Sequence, residues 1–526
     1  MANINVISRR SFFQRSLKAG AGLGLASLMN IPPFVKRALA EGNIGTNGKK
    51  LLFIFLRGAN DALNSVIPVG DTAYNNTIRP TVYIPPDGGL NYGTPGACDF
   101  PTGLASTFQY ANAIKLGNGF AGLHPSLKFL APVYNAGDLA LVHRVGYPKQ
   151  SRSHFDSQAY WENGEPNSLL REGIFYRTLL ESGLTTTNPL TGVSIQSGLP
   201  LLFRGSQAAL TNLSDPTRYD LMGLPNDALT GDLKAKNFLL ATQNSKFASK
   251  RNRSMLTLQY RNMLDTLDIF AGIQGFQEAE NTFVDNVNSD GAGSSPYHLF
   301  PTTDAKNGGG TAAKFVVDNG AYDFFEQLKG AALILNHTDA IIAGTELGGF
   351  DTHNNQGGVT GTHAELQTRI AWAIYGLRKY FSNYANKATW NNTIIVTLTE
   401  FGRTTVQNTS GGTDHAEAGL MFVAGGGVKG YGKSGRISGA FACHTGDSIP
   451  WVTGPTGSMY GVAGRYLQRA VDYRSVLGEI IREHLGATAA QVGRIIPGYS
   501  IAGENLATGG TSSIDGTNIM GELDLV

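Results

Sequence analysis

Short, continuously apolar runs alternate with polar, glycine-rich connections along this chain. Residues 51–56, LLFIFL, are apolar at every position, which predicts a strand buried on both faces of a parallel sheet. Similar runs at 139–142, 340–343, 393–398 and 420–424 predict four more such strands. Between them, 124–137 and 365–380 carry helical periodicity. Strands alternating with helices predict an α/β fold with a central, mostly parallel sheet sandwiched by helices. The stretch from about 155 to 335 has few strand-like runs and one long helical pattern at 245–273, so it is expected as a largely helical insertion outside the sheet. Residues 501–526 are rich in Gly, Ser and Thr and are expected to form a flexible tail.

The two ends and the composition change the picture in few places. At the N-terminus a basic stretch with Arg9 and Arg10 precedes a Gly/Ala/Leu-rich apolar run and an A-x-A pattern at 38–40, so 1–40 reads as a signal peptide that is removed. That apolar run is about half the roughly 20 residues a bilayer span needs. Ser8-Arg9-Arg10-Ser11-Phe12-Phe13 resembles the twin-arginine motif, which implies the twin-arginine export machinery as a partner and a periplasmic or extracellular location. No later segment is apolar for long enough to span a membrane. With 42 Lys+Arg against 40 Asp+Glu, nothing in the charge points to nucleic acid. The two cysteines, Cys98 and Cys443, leave a single disulfide open, and neither lies in a cluster with metal-ligand spacing.

Ligands in open α/β sheets bind outside the carboxyl ends of the strands, so the residues following each run are the candidates. They are Asn60 and Asp61; Ser151, Ser153 and His154; Glu346, Asp351 and His353; Glu400; and, just before the last run, Asp414 and His415. Carboxylates, imidazoles and a hydroxyl are what a hydrolytic metal site uses. Arg57, Arg152 and Arg403 stand beside them and suit gripping an oxyanion. Plainer roles exist for several. Asp61 fits a turn cap, and Ser153 with Asp156 fits a capping box at a helix start. His124, His337 and His484 read as structural.

The motifs GANDALN, LHPSLKFL, VGYP followed by SRSHFDSQ, GGFDTHNNQ, TEFGRT and GTDHAEAG together resemble a bacterial family known as domain of unknown function 1501, over about residues 50–500. That family is distantly similar to the alkaline phosphatase and sulfatase superfamily. The resemblance implies an alkaline-phosphatase-like domain, a Ser153 nucleophile, and a divalent metal site of one or two ions held by Asp61, Asp351, His353, Glu400 and His415. Zinc, manganese, iron and calcium all accept such mixed ligands. Phe401 stands where the superfamily has a metal-binding His, so the resemblance departs from the family pattern at the second ion. The implied activity is hydrolysis or transfer of a phosphate- or sulfate-type ester on a small anionic or glycan-linked substrate. The alternative is a non-catalytic relative serving binding or surface assembly.

Overall fold

The computed structural model describes residues 44–69, 71, 73–85, 112–116, 121–185, 190–208, 210–214, 282–283, 297–303, 317–436, 439–442, 465–499 and 504–526. The basic leader at 1–40, both cysteines and the helical pattern at 245–273 lie outside them. One central sheet contains β1 (Lys50–Leu56), β2 (Leu139–Gly146), β3 (Gly192–Ile195), β4 (Thr211–Leu213), β5 (Ile342–Leu347), β6 (Thr393–Thr399), β7 (Gly419–Ala424), β8 (Ala440–Phe441) and β9 (Val471–Asp472). Their order is β8-β2-β7-β6-β1-β5-β3-β4, with β9 also paired to β2. β1 lies parallel to both β5 and β6, with Leu51 facing Ile342 and Ile394. β7 alone is antiparallel to its neighbours, β6 and β2. The fold is therefore α/β with a mixed, mostly parallel sheet.

Alternate side chains of each central strand feed opposite faces, the period-2 consequence of the pleat. Leu52, Ile54 and Leu56 enter one core with Ile395 and Phe422, covered by α3 (Tyr322–His337) and α4 (Thr362–Asn383). Leu51, Phe53 and Phe55 enter the other with Val396 and Val423, covered by α2 (Ile174–Ser182) and α5 (Tyr473–Glu479). No described helix is long and apolar enough to cross a membrane.

Three expectations need correction. The region 155–335 is not wholly outside the sheet, because β3 and β4 extend its edge and α3 packs on its face. The stretch 124–137 is not one helix. His124 caps a 3₁₀ turn, Pro125–Leu130, which passes into a short helix, Ala131–Asn135. The closing segment packs rather than trails: Leu523 and Leu525 are buried, and both of their N–H groups donate to the Glu479 carboxylate.

Candidate metal centre

The orientation of β7 decides which loops meet. In a parallel strand the following loop reaches the carboxyl edge, whereas in an antiparallel strand the preceding loop does. Loops after β1, β2, β5 and β6 thus meet the loop before β7, which carries Asp414 and His415. The connection from β6 to β7 is folded on itself by a bridge between Arg403 and His415, and a bridge between Asn354 and Gly411 joins it to the loop after β5. Gly412 is required at that seam, since a Cβ there would lie 2.3 Å from the Thr352 carbonyl oxygen. Gly58, at φ +110°, likewise leaves room for the Asp351 backbone nitrogen.

Four side chains converge at this edge. Asp351 Oδ1 lies 3.4 Å from His154 Nε2, 3.1 Å from His353 Nε2 and 3.3 Å from His415 Nε2. The Nε2 atoms of His353 and His415 are 2.8 Å apart. His154, Asp351 and His415 place their ligand atoms mutually within 4.8 Å, and His353 adjoins the last two. His154 heads α1 (His154–Asn163), directly after the helix cap Ser153.

The outer faces of the three imidazoles are all committed. His154 Nδ1 bonds Glu400 Oε1 at 2.8 Å, His353 Nδ1 bonds Asp414 Oδ1 at 3.0 Å, and His415 Nδ1 bonds the Arg152 carbonyl at 2.8 Å. A carboxylate or carbonyl can only accept, so each Nδ1 carries a proton, and in the neutral tautomer each ring would present an Nε2 lone pair inward. Lone pairs facing one another at such distances repel unless a cation lies among them. His154 Nε2 is buried and makes no hydrogen bond. The surrounding charge has the same sense: among the described ion pairs Asp351 meets Arg403 and Asp414 meets Arg465, while Glu400 meets His154 and no guanidinium.

Titration follows these contacts. Burial pushes the Asp351 carboxyl up, but the Arg403 guanidinium, 2.5 Å away, outweighs it and holds the pKa at about 2. Burial also raises Glu400, and the bonds from His154 and Gln158 bring it below the usual carboxylate range. The bond to Glu400 raises His154, while burial lowers His415.

Asp351, His353 and His415 are thus brought together, and the other expected site residues are placed differently. Asp61 is fully buried and bound by Arg79 Nη1 at 2.7 Å and Gln356 Nε2 at 2.7 Å, so a guanidinium already occupies it in place of an ion. Gln356 Oε1 in turn accepts from Thr352 and Thr413, which ties Asp61 to both ligand loops. Glu400 sits behind His154 as its acceptor, with further bonds from Gly58 N and Gln158. Arg403 is buried and grips Asp351 together with the Ala59, Phe350 and Thr413 carbonyls, so it builds the loops and is not open to an oxyanion. Arg57 is paired with Glu162 and Glu346. Ser153 Oγ accepts the Asp156 N–H as helix cap, and its described hydrogen bonds do not reach the cluster. Arg152, partly exposed, pairs with Glu417 and stacks over Tyr466. Arg79 is not singled out by the sequence, whereas His154 is among the strand-end candidates but is given no ligand role; its order, directly after a helix cap, was the signal available.

No curated protein matches the chain, and no solved structure does. Residues 307–445, which carry Asp351, His353, Glu400, Arg403, Asp414 and His415, match the family described as Protein of unknown function (DUF1501).

Proposed function

We propose that the protein is an exported, metal-dependent hydrolase or transferase acting on an anionic ester of phosphate or sulfate type. The observation that carries this reading is the convergence of three imidazole Nε2 atoms on Asp351 Oδ1, with every Nδ1 held by an acceptor. Three His and one carboxylate, oriented by hydrogen-bonded partners, are a donor set for one divalent transition metal. Phe401 favours one ion over two: its buried ring packs 4.8 Å from both His154 and His415, filling the place beside the cluster. His154, Asp351, His353 and His415 would hold such an ion, and the chemistry it would supply there is Lewis acidity and activation of water. The protein's own groups divide the remaining work. Glu400, Asp414 and the Arg152 carbonyl fix the ring orientations, Arg403 fixes Asp351, and the exposed guanidiniums of Arg152 and Arg465 are available to an anionic substrate at the rim.

The test joins elemental analysis to a substrate panel of aryl phosphates, phosphodiesters and aryl sulfates. One equivalent of a transition metal is expected in the purified protein, lost in His154→Ala and Asp351→Asn and retained in Ser153→Ala. Ester turnover should follow the metal. A metal-free protein that gains no activity on adding zinc, manganese or iron would sink the reading.

A further inference from the structure

A buried amide outside the ligand set ties the two loops that carry Asp351, His353 and His415. Gln356 is fully buried, and each of its polar groups is bonded. Its Nε2 donates to Asp61 Oδ2 at 2.7 Å, and its Oε1 accepts from Thr352 Oγ1 at 3.0 Å and from Thr413 Oγ1 at 2.6 Å. Its backbone N–H donates to the Gly411 carbonyl at 3.0 Å, and its carbonyl accepts the N–H of His363, at the start of α4, at 3.1 Å. The chain enters the left-handed region on both sides of it, at Asn355 (φ +47°) and Gly357 (φ +78°), residue types that bear this conformation best.

Only one orientation of this amide works, because a flipped one would set its oxygen against the Asp61 carboxylate. Asp61 is itself anchored. Arg79 Nη1 donates to the same Oδ2 at 2.7 Å, and Arg79 Nε and Nη2 donate to the carbonyls of Thr405 and Thr404 at 2.9 and 2.8 Å. The two hydroxyls on Oε1 stand beside the ligands. Thr352 lies between Asp351 and His353, and Thr413 precedes Asp414 and His415. Asp414 Oδ1 in turn holds His353 Nδ1 at 3.0 Å, so the amide reaches His353 both through its own backbone and through its carboxylate partner. The backbone ties between these loops are weaker constraints. The bond from Thr413 N to the Thr352 carbonyl is at the long end of the usual range, at 3.2 Å, and the bridge between Asn354 and Gly411 begins at an exposed residue, where backbone bonds open locally at small cost.

We propose that Gln356 is a positioning residue of the cluster: anchored by the Asp61–Arg79 pair, it sets the spacing of His353 and His415 through the hydroxyls of Thr352 and Thr413. Its bearing on an ion rests on the metal-centre reading, whereas the placement of the two rings does not. Cobalt(II) titration of the full chain, followed by its visible d–d bands, is the test. Gln356→Met and Thr413→Val should each weaken cobalt binding about tenfold and displace the bands, as outer-shell losses do, while Thr413→Ser, which keeps the hydroxyl, should stay within twofold. The double variant should lose no more than Gln356→Met alone, because both changes break one chain of contacts. Additive losses overturn the proposal, as does a Gln356→Met protein with cobalt affinity within twofold and its bands unmoved. The expected losses without turnover of any ester uphold the positioning role and remove the hydrolase reading. If the unchanged chain takes up no cobalt, the metal-centre reading falls, and the imidazole nitrogen resonances of the metal-free proteins decide. Displacement of His353 and His415 in Gln356→Met, with His484 at the opposite edge of the sheet unmoved, upholds the role; coincidence with the unchanged chain overturns it.

Discussion

The substitution Glu400→Gln isolates the part of the site that holds no ligand atom of its own. Glu400 is fully buried, and its Oε1 accepts three hydrogen bonds: from Gly58 N at 2.7 Å, His154 Nδ1 at 2.8 Å and Gln158 Nε2 at 3.0 Å. An amide oxygen placed at Oε1 preserves all three bonds and the volume, but it removes the negative charge behind His154. Nε2 of that ring then becomes a weaker donor to a cation, and outer-shell losses of this kind lower metal affinity about 10–100-fold, or about 1.4–2.7 kcal/mol. The amide nitrogen falls at Oε2, which is buried without a partner, and an unpaired buried donor costs about 1–3 kcal/mol of stability. Chelator competition with zinc or manganese measures the first effect, and calorimetry of the metal-free protein measures the second. A Glu400→Gln protein that binds metal within twofold of the unchanged chain would refute the idea that His154 is a ligand oriented by this carboxylate.

Two further outcomes bear on the frame around the site. Arg79→Met leaves Asp61 as an uncompensated buried carboxylate and should cost about 3–5 kcal/mol by denaturant titration, with part of that loss recovered by adding Asp61→Asn; a cost below about 1 kcal/mol would mean that the pair is not buried as described. Burial lowers Lys50 from 10.5 to about 8. Because the unfolded chain holds that proton between pH 8 and 10.5 while the folded chain does not, the penalty is complete below pH 8 and fades as pH rises. Stability relative to Lys50→Met should therefore climb by about 3 kcal/mol over that window, and parallel pH profiles for the two proteins would contradict it.

The strands at 50–56, 393–399 and 419–424 were legible to within a residue because both faces are buried and most positions are apolar. β5 was read as 340–343 and spans 342–347; its latter half escaped because it is polar for local reasons, Thr345 Oγ1 bonding the Ile195 carbonyl at 2.7 Å and Gln327 at 2.8 Å. β3, β4, β8 and β9 were missed because they hold two to four residues each, too few to show a period. Their pairing comes from the strands already in place. The tail was misread from composition, which takes no account of where Leu523 and Leu525 can dock.

The site divides along a different line. Strand-end position alone pointed to all the loops that meet, because the sheet fixes where backbone emerges whatever the side chains do. Which side chain within a loop faces the cluster is set by local hydrogen bonding, and there the sequence misleads. Ser153 has the nucleophile's residue type and stands at a helix start, but a capping hydroxyl turns back toward the N–H of Asp156. Its neighbour His154, the first helical residue, is pulled inward by Glu400. Asp61 looks like a ligand until Arg79 is counted, and Arg79 lies in a stretch without any motif. Carboxylates here serve in three ways, as ligand candidate (Asp351), as imidazole partners (Glu400, Asp414) and as partner to a guanidinium (Asp61). Residue type does not separate these roles, whereas the full set of partners does: Asp351 meets three imidazoles beside Arg403, and Asp61 meets a guanidinium and an amide.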